Sequence, residues 1–227
     1  MGLQTCHNLA QSQVAFESRV PIRTDPALCY NAGMPSQPKP PHPISRVFSL
    51  LSAGPNAVAL RWIDQVSRRR TGVPVWKLSA ITPQLYVGGQ HYPNGYRAML
   101  EYGITAIVNM RDEHSDIEKG IGGERHLHLA TVDNTPPLVE DLKIGAAFIQ
   151  AEIDRGGKVY IHCAVGCGRA PTMAAAYLIS TGLSPNDALK RIKKARPFVH
   201  LTRKQRDVLD EFEADWRDSR RQPPGQS

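Results

Sequence analysis

One short segment of this 227-residue chain carries residue types that can attack a phosphate ester. His162 and Cys163 are followed by five small uncharged residues and then by Arg169. A cysteine thiolate is nucleophilic, and a helix N-terminus or a nearby cation lowers a thiol pKa to roughly 3.5–7.5. The planar guanidinium of an arginine can hold two phosphoryl oxygens. The spacing therefore predicts that Cys163 forms a covalent phosphocysteine while Arg169 binds the transferred group and stabilises its transition state.

The five intervening residues are predicted to form a phosphate-binding loop between a strand and a helix. Lys158–His162 is apolar and β-branched enough for a buried strand, and the apolar residues after Arg169 predict a buried helix. A tight strand-to-helix loop turns successive N–H groups inward, next to the positive end of the helix dipole. We expect these amides to bind phosphate and His162 to shape the surroundings of the thiolate. A buried structural cysteine beside a histidine at a strand end is the alternative. The loop residues are Ala164, Val165, Gly166, Cys167 and Gly168.

With its His-Cys-x5-Arg signature, the chain resembles the cysteine-based protein phosphatases, specifically their small dual-specificity type. Ile81–Gly89 resembles the opening strand of that family, Gly103–Arg111 its second strand, and His126–Pro137 the segment that carries its general acid. The resemblance extends from about Val73 to Trp216. It implies an α/β fold with a mainly parallel central sheet of four to five strands flanked by helices. It also implies a phosphomonoester hydrolase that uses no metal and no other cofactor.

Asp133 is the predicted general acid, which protonates the leaving oxygen and then acts as a base on the hydrolytic water. It follows the strand-like run His126–Val132, and ligand sites of open α/β sheets lie at the carboxyl ends of strands. The acid of the resembled family occupies the corresponding place. A plain turn is the alternative, because Asp-Asn-Thr-Pro is also good turn chemistry. Asp112 and Glu113 are the fallback acids.

Ala170 departs from the resembled family, which has Ser or Thr directly after the loop arginine, where a hydroxyl aids turnover of the phosphocysteine. Thr172 lies two helical positions farther on and faces elsewhere, so it is a poor substitute. We therefore expect a slow second step and accumulation of phosphoenzyme. A catalytically weak phosphate-binding pseudophosphatase remains an alternative. A sulfur-transfer or arsenate-reducing enzyme is a third interpretation, which the His before Cys163 and the upstream acid segment disfavour.

The predicted loop interior contains no Lys or Arg, whereas relatives acting on inositol phosphates place basic residues there. The expected substrate is accordingly a phosphotyrosine or phosphoserine/threonine protein, or a small phosphoester. A lipid of the phosphatidylglycerophosphate type is the alternative. Cys167 lies in the same loop as Cys163 and could capture an oxidised nucleophile as a disulfide, although a small loop filler explains it equally well.

Composition limits the remaining possibilities. A net charge of +7 suits anionic partners, but no nucleic-acid motif accompanies it, and no apolar run has transmembrane length. The four cysteines lack the spacing of a disulfide framework or a zinc site, so a reducing, cytoplasmic compartment is expected. His126 and His128 share one strand face, but without a third ligand they predict a polar face and no metal. A solvated basic helix face is predicted for Lys190, Arg191, Lys193, Lys194 and Arg196.

The chain divides into four predicted parts. Residues 1–45 are expected to be a disordered Pro-rich tail, and 46–72 a helical basic lead-in. That lead-in pads the domain or contacts a membrane surface weakly through Arg68, Arg69 and Arg70. Residues 73–218 form the phosphatase-like domain, with helices near 94–102 and 137–154 and others starting at Ser184 and Thr202. Residues 219–227 are a predicted disordered tail.

Overall fold

The computed structural model describes residues 55–123 and 125–221. The predicted tail 1–45, the first nine residues of the lead-in 46–72 and the end of the chain after residue 221 lie outside these ranges. In chain order the elements are α1 (Pro55–Thr71), a short 3₁₀ helix (Trp76–Leu78), β1 (Leu85–Gly88), α2 (Pro93–Glu101), β2 (Ala106–Arg111), β3 (His126–Thr131), α3 (Val139–Asp154), β4 (Val159–His162), α4 (Arg169–Ser180), α5 (Pro185–Ala195) and α6 (Arg203–Arg221).

The four strands form one parallel sheet in the order β1-β4-β2-β3, which confirms the predicted fold class. The central strands are buried apolar runs, as expected for a parallel sheet covered by helices on both faces. Their register pairs Gly88, His162 and Asn109 across neighbouring strands, in one row at the carboxyl ends. The sheet thus delivers the residue before Cys163 to the edge where ligands of such sheets bind.

Helix α4 forms the centre of the core and holds the loop that precedes it. Nearly every residue of α4 is buried, because its sequence is apolar all round and rich in alanine. Helix α3 crosses it closely at Gly145, where an added Cβ would lie 2.3 Å from the Sδ atom of Met173. A larger residue at Gly145 would therefore have to displace the end of the Met173 side chain.

Local signals predicted the starts of the later helices. The Ser184 hydroxyl accepts a hydrogen bond from the Asp187 N–H at 3.2 Å, which caps α5. Thr202 and Gln205 form the predicted capping box before α6. Helix α6 continues to Arg221, three residues into the segment predicted as a tail. Within the described part of the chain, none of the helices combines the length and apolar character needed to cross a bilayer.

Helix α1 has its polarity inverted relative to an ordinary surface helix. Asp64 and Arg68 are buried, whereas Trp62, Ile63 and Val66 are exposed. Arg68 donates to the carbonyl of Gln90 at 2.9 Å and to Asp64 at 3.2 Å. The suggestion that Arg68 contacts a membrane is therefore wrong, because its side chain is 2% exposed and its guanidinium binds groups inside the domain. Of the three arginines, Arg69 and Arg70 remain exposed.

Candidate active site

The predicted nucleophile lies at the bottom of a loop that begins where β4 ends. Cys163 is 4% exposed, and its Sγ accepts a hydrogen bond from the Gly166 N–H at 3.2 Å. Gly166 has a φ of +74°, a left-handed conformation that favours glycine. A Cβ at this position would lie 2.4 Å from the backbone carbonyl of Gly88. Glycine is thus required for the loop to fold back over the sulfur.

Every carbonyl of the loop is held from outside. The hydrogen bonds run from Gln90 N–H to Ala164 O (3.2 Å), from Arg196 Nη2 to Val165 O (3.1 Å), from Arg196 Nε to Gly166 O (2.8 Å), from His200 N–H to Cys167 O (3.0 Å) and from Thr172 N–H to Gly168 O (2.9 Å). In a trans peptide the C=O and the following N–H point in opposite directions. The N–H groups of residues 165–169 therefore face the interior of the loop, above Cys163.

Arg169 begins α4 and reaches across the mouth of this loop. Its Nη1 and Nη2 bind the two carboxylate oxygens of Glu113 at 2.8 and 3.0 Å, and Nη1 also donates to the Thr131 carbonyl at 2.7 Å. The two N–H groups expected to grip phosphate thus grip Glu113 instead. Among the described residues, the buried Nε of Arg169 has no acceptor. This Nε–H remains available to an anion in the loop.

Three carboxylates surround that guanidinium. Besides Glu113, an oxygen of Asp112 lies 3.6 Å from Nη1 and an oxygen of Asp133 lies 3.3 Å from Nη2. Burial works against ionisation of Arg169, but the hydrogen bonds to Glu113 and the neighbouring negative charges outweigh it and raise the pKa. Arg169 is therefore charged throughout the physiological range. The cluster places one permanent cation beside three possible proton carriers.

The two fallback acids differ sharply in their protonation. Burial and a hydrogen bond to Glu113 raise the pKa of Asp112. Burial acts to raise the pKa of Glu113 as well, but the hydrogen bonds from Arg169 and Asp112 lower it far below the usual range. The lowered pKa makes Glu113 a poor proton donor and disfavours it as a fallback acid. Its contacts make it a residue that positions Arg169.

Asp133 lies in the turn after β3, with its side chain 43% exposed. Asn134, the next residue, has a left-handed φ of 65° and donates to an Asp133 oxygen at 3.2 Å. Gln205 fastens the far side of this turn by donating to the Thr135 carbonyl at 2.9 Å. Asp133 therefore does lie in a turn, as the alternative interpretation predicted. The same turn places its carboxylate beside Arg169.

Arg196 contradicts the predicted basic face of α5. Its side chain is fully buried, and its Nη2 pairs with Asp64 of α1 at 3.0 Å, while Nη1 donates to the Leu78 carbonyl at 2.8 Å. Lys190, Arg191, Lys193 and Lys194 are exposed, as predicted. Arg196 differs because it follows Ala188 and Ile192 at intervals of four residues, on the buried side. That spacing is the sequence signal that would have separated Arg196 from its basic neighbours.

His162 is fully buried and is joined to Asp116 by a hydrogen bond of 2.5 Å between Nε2 and a carboxylate oxygen. Burial lowers the pKa of His162, against the opposing effect of Asp116. Burial acts to raise the pKa of Asp116, but hydrogen bonds from His126 and His162 lower it strongly. A neutral imidazole therefore donates Nε2–H to a carboxylate. Sequence reasoning missed Asp116, which lies 46 residues away and in no recognisable motif.

His91 completes a buried polar cluster behind the nucleophile. The ligand atoms of His91, Asp116 and His162 lie within 4.8 Å of one another, so these three residues could hold a metal ion. The direct bond between Asp116 and His162 already links two of them. Burial lowers the pKa of His91 to about 4, and the His91 Nε2 contacts the Ile121 carbonyl at 2.9 Å. His126 approaches Asp116 at 3.5 Å, whereas His128 contacts the Arg111 carbonyl, so the two strand histidines do not share a ligand site.

Cys167, Ala170 and Thr172 were also singled out in the sequence, and the structure gives each a different environment. Burial raises the pKa of Cys167 to about 11, which makes this half-buried thiol a poor resolving group for an oxidised Cys163. Ala170 is fully buried in α4. The Thr172 hydroxyl donates to the Gly168 carbonyl at 3.0 Å. Thr172 therefore supports the backbone of the loop and does not supply the hydroxyl that is missing at Ala170.

Comparison with known proteins identifies what this arrangement is similar to. A family model described as "Dual specificity phosphatase, catalytic domain" matches residues 85–215. The human "Phosphatidylglycerophosphatase and protein-tyrosine phosphatase 1" is 41% identical over 119 residues, covering 48% of this chain and 59% of that protein. "Dual specificity protein phosphatase 26" of Pongo abelii is 29% identical over 194 residues, covering 80% of each chain. The chain spans 59–65% of the length of the first three relatives, from human, rat and mouse.

Solved structures of phosphatases superpose on this chain. The crystal structure of PTPMT1 superposes with a TM-score of 0.58 at 28% identity, covering 63% of this chain and 98% of that one. Human DUSP28 superposes with a TM-score of 0.57 and 99% coverage of its own chain. Its identity of 22% supports similarity of the fold alone.

Proposed function

This chain belongs to the dual-specificity phosphatase family, whose catalytic-domain model matches residues 85–215, and we propose on that premise that it hydrolyses phosphomonoesters through a phosphocysteine. One observation carries the proposal: the outward anchoring of all five loop carbonyls, which leaves a ring of N–H groups above the Cys163 sulfur. Such a ring suits the three non-bridging oxygens of a phosphoryl group, whose charge it stabilises during transfer.

In the first step the Cys163 thiolate attacks phosphorus from the bottom of the loop. An S–P bond forms as the P–O bond to the leaving group breaks, and Asp133 gives its proton to the departing oxygen. The loop amides and the Nε–H of Arg169 hold the phosphoryl oxygens. Glu113 keeps the guanidinium oriented across the loop mouth through its two-pronged ion pair.

In the second step a water molecule attacks the phosphocysteine. The S–P bond breaks, inorganic phosphate forms, and the Asp133 carboxylate takes the proton of the water. His162, fixed by Asp116, sets the position of the strand end that carries the nucleophile. The buried methyl group of Ala170 offers no hydroxyl to this step, and we expect hydrolysis of the phosphoenzyme to limit turnover. No metal or cofactor takes part in either step.

Hydrolysis of p-nitrophenyl phosphate by the full chain tests the proposal. We expect activity in wild type and none in Cys163→Ser. Absence of turnover by wild type in reducing, chelator-treated buffer would leave the phosphate-binding alternative in its place. Thiosulfate turnover would favour the sulfur-transfer interpretation.

A second comparison separates Asp133 from Asp112 as the general acid. p-Nitrophenolate leaves readily without a proton, whereas a phenolate like that of tyrosine, with a pKa near 10, does not. Asp133→Asn should therefore reduce kcat/KM on phenyl phosphate, which reports the first step, by about 10²-fold or more and affect kcat/KM on p-nitrophenyl phosphate far less. The Asp112→Asn variant is the matched control, since Asp112 lies at a similar distance from Arg169. The same leaving-group dependence in Asp112→Asn alone would move the role to Asp112, whose raised pKa suits an acid.

The leading substrate class is a phosphoprotein, on tyrosine and on serine or threonine, because no lysine or arginine stands inside the loop. A lipid phosphomonoester is the second candidate, favoured by the relative whose name joins phosphatidylglycerophosphatase with protein-tyrosine phosphatase. Initial rates on a phosphotyrosine peptide, a phosphothreonine peptide and vesicle-embedded phosphatidylglycerophosphate would rank them. A kcat/KM at least tenfold higher on the lipid would overturn the first choice. We place the catalytic domain at residues 73–218 and the protein in the cytoplasm.

A further inference from the structure

The outward face of α1 is an apolar stripe that is exposed in the part of the chain that the structure describes. Ala59, Trp62, Ile63 and Val66 are exposed and follow one another at intervals of three, one and three residues, which places them on one side of the helix. Trp62 and Ile63 are 59% and 55% exposed. An ordinary surface helix buries such a stripe and exposes its charges.

The acidic residue of α1 is buried, and two of its basic residues are exposed. Asp64, its only acidic residue, is buried against Arg68 and Arg196. The exposed charges of the helix are Arg69 and Arg70, in its last turn, and Arg61 is half-buried. A helix that combines an exposed tryptophan and aliphatic residues with basic side chains matches the surface of an anionic bilayer, where the apolar side chains enter the interface and the arginines meet the headgroups.

Helix α1 is also coupled directly to the phosphate loop. Asp64 binds Arg196, and Arg196 in turn holds the carbonyls of Val165 and Gly166. The positive charges of Arg196 and Arg61 act on the Cys167 thiol of the same loop, although burial is the larger influence on its pKa. Helix α1 therefore lies one side chain away from the phosphate loop.

From these observations we infer that the stripe Ala59, Trp62, Ile63 and Val66, with Arg69 and Arg70, docks the protein on an anionic lipid surface. The inference rests on the phosphatase activity proposed above, and it supports the second substrate class named there, a lipid phosphomonoester. Docking then brings the phosphate loop close to the lipid headgroups, whose local concentration at the membrane surface is high. Activity on a water-soluble ester does not require this docking.

Vesicle binding by the full-length protein tests the docking without reference to catalysis. Co-sedimentation is measured with phosphatidylcholine vesicles, with and without phosphatidylglycerol, for wild type, Trp62→Ser/Ile63→Ser and Arg69→Gln/Arg70→Gln. We expect wild type to bind the anionic vesicles and each double variant to bind at least about tenfold more weakly. Matched controls are Ile144→Ser, an exposed isoleucine on α3, and Lys193→Gln/Lys194→Gln on α5, all of which should bind as wild type does.

Catalytic measurements on the same proteins keep the two proposals apart. Trp62→Ser/Ile63→Ser should hydrolyse p-nitrophenyl phosphate at the wild-type rate and vesicle-embedded phosphatidylglycerophosphate at least about tenfold more slowly. Cys163→Ser should bind vesicles normally, so a failure of hydrolysis leaves the docking result intact. Equal vesicle binding by wild type and both double variants, or no binding by wild type, would overturn the inference. A change of oligomeric state in Trp62→Ser/Ile63→Ser would overturn it in favour of a second copy of this chain.

Discussion

Replacement of Arg196 by methionine should cost both stability and activity, because one buried guanidinium holds α1, the 3₁₀ helix and the phosphate loop together. Its side chain has no solvent exposure, and it donates to Asp64, Leu78, Val165 and Gly166 at 2.8–3.1 Å. The variant Arg196→Met keeps an unbranched apolar stem, which is shorter than the arginine side chain, and removes all four hydrogen bonds.

The expected loss of stability follows from the buried groups that lose their hydrogen-bond partner in Arg196→Met. Removing one partner of a buried ion pair costs about 3–5 kcal/mol, and a buried carbonyl without a donor costs about 1–3 kcal/mol. Asp64 keeps Arg68 as a partner, which limits the first contribution. We expect the free energy of unfolding to fall by about 3–5 kcal/mol, which at about 3 kcal/mol per molar lowers the urea midpoint by roughly 1–1.7 M. Without Arg196 the peptide groups that follow Val165 and Gly166 can rotate, so their N–H groups no longer point at the phosphoryl oxygens. We expect kcat to fall about 10²-fold, as it does when an oxyanion-hole donor is lost.

Urea unfolding followed by circular dichroism, with p-nitrophenyl phosphate kinetics at zero urea, measures both effects. Arg191→Met is the matched control, since Arg191 is exposed on the same helix and should change stability by less than about 0.5 kcal/mol. The reasoning is refuted if Arg196→Met loses less than about 1 kcal/mol and retains wild-type kcat.

Three further outcomes follow from the same structure. Gly166→Ala should lose at least about 2 kcal/mol of stability in urea unfolding and nearly all of its hydrolytic activity. The added Cβ would collide with the Gly88 carbonyl, and the φ of residue 166 is left-handed. Wild-type stability of this variant would contradict the loop geometry. His91 has a pKa lowered to about 4 and is neutral when folded, so the unfolded chain takes up its proton first and stability falls as the pH drops below about 6.5. His91→Asn should reduce the stability lost between pH 7 and pH 5 by about 2 kcal/mol, and an unchanged pH dependence of the urea midpoint would argue against a buried neutral imidazole. Ala170→Ser should raise steady-state kcat by roughly tenfold and shrink the p-nitrophenol burst in stopped flow; no burst in wild type at any pH would remove the slow second step.

Much of the fold was predictable because its signals are local. Apolar β-branched runs marked the strands, and Ser184, Thr202 and Gln205 marked helix starts through caps that involve neighbours three residues away. The parallel sheet was predictable from strands separated by helices and from the family resemblance, whereas the order of the strands was not predicted. The loop from Cys163 to Arg169 was visible for the same reason, since strand, glycines and helix are contiguous in the sequence.

The support of the site was not predictable, because it depends on partners distant in sequence. Arg196 pairs with Asp64 over a separation of 132 residues, and no local pattern distinguishes such a guanidinium from a solvated one except the spacing from Ala188 and Ile192. Asp116 reaches His162 only after β2 and β4 become neighbours in the sheet. Glu113 was noticed as an acid, but its pairing with Arg169 depends on where the turn after β2 lies.

The outward anchoring of the loop carbonyls has a consequence for the dynamics of the protein. The anchors come from the segment after β1, from α4, and from the stretch between α5 and α6, so the ring cannot open without disturbing several parts of the core. The amide hydrogens of Gln90, Thr172 and His200, which donate to the loop carbonyls, should consequently exchange with solvent deuterium at rates close to that of global unfolding. Catalytic competence and cooperative folding are then lost in a single transition, and protease nicking in the native state should spare this turn of the chain.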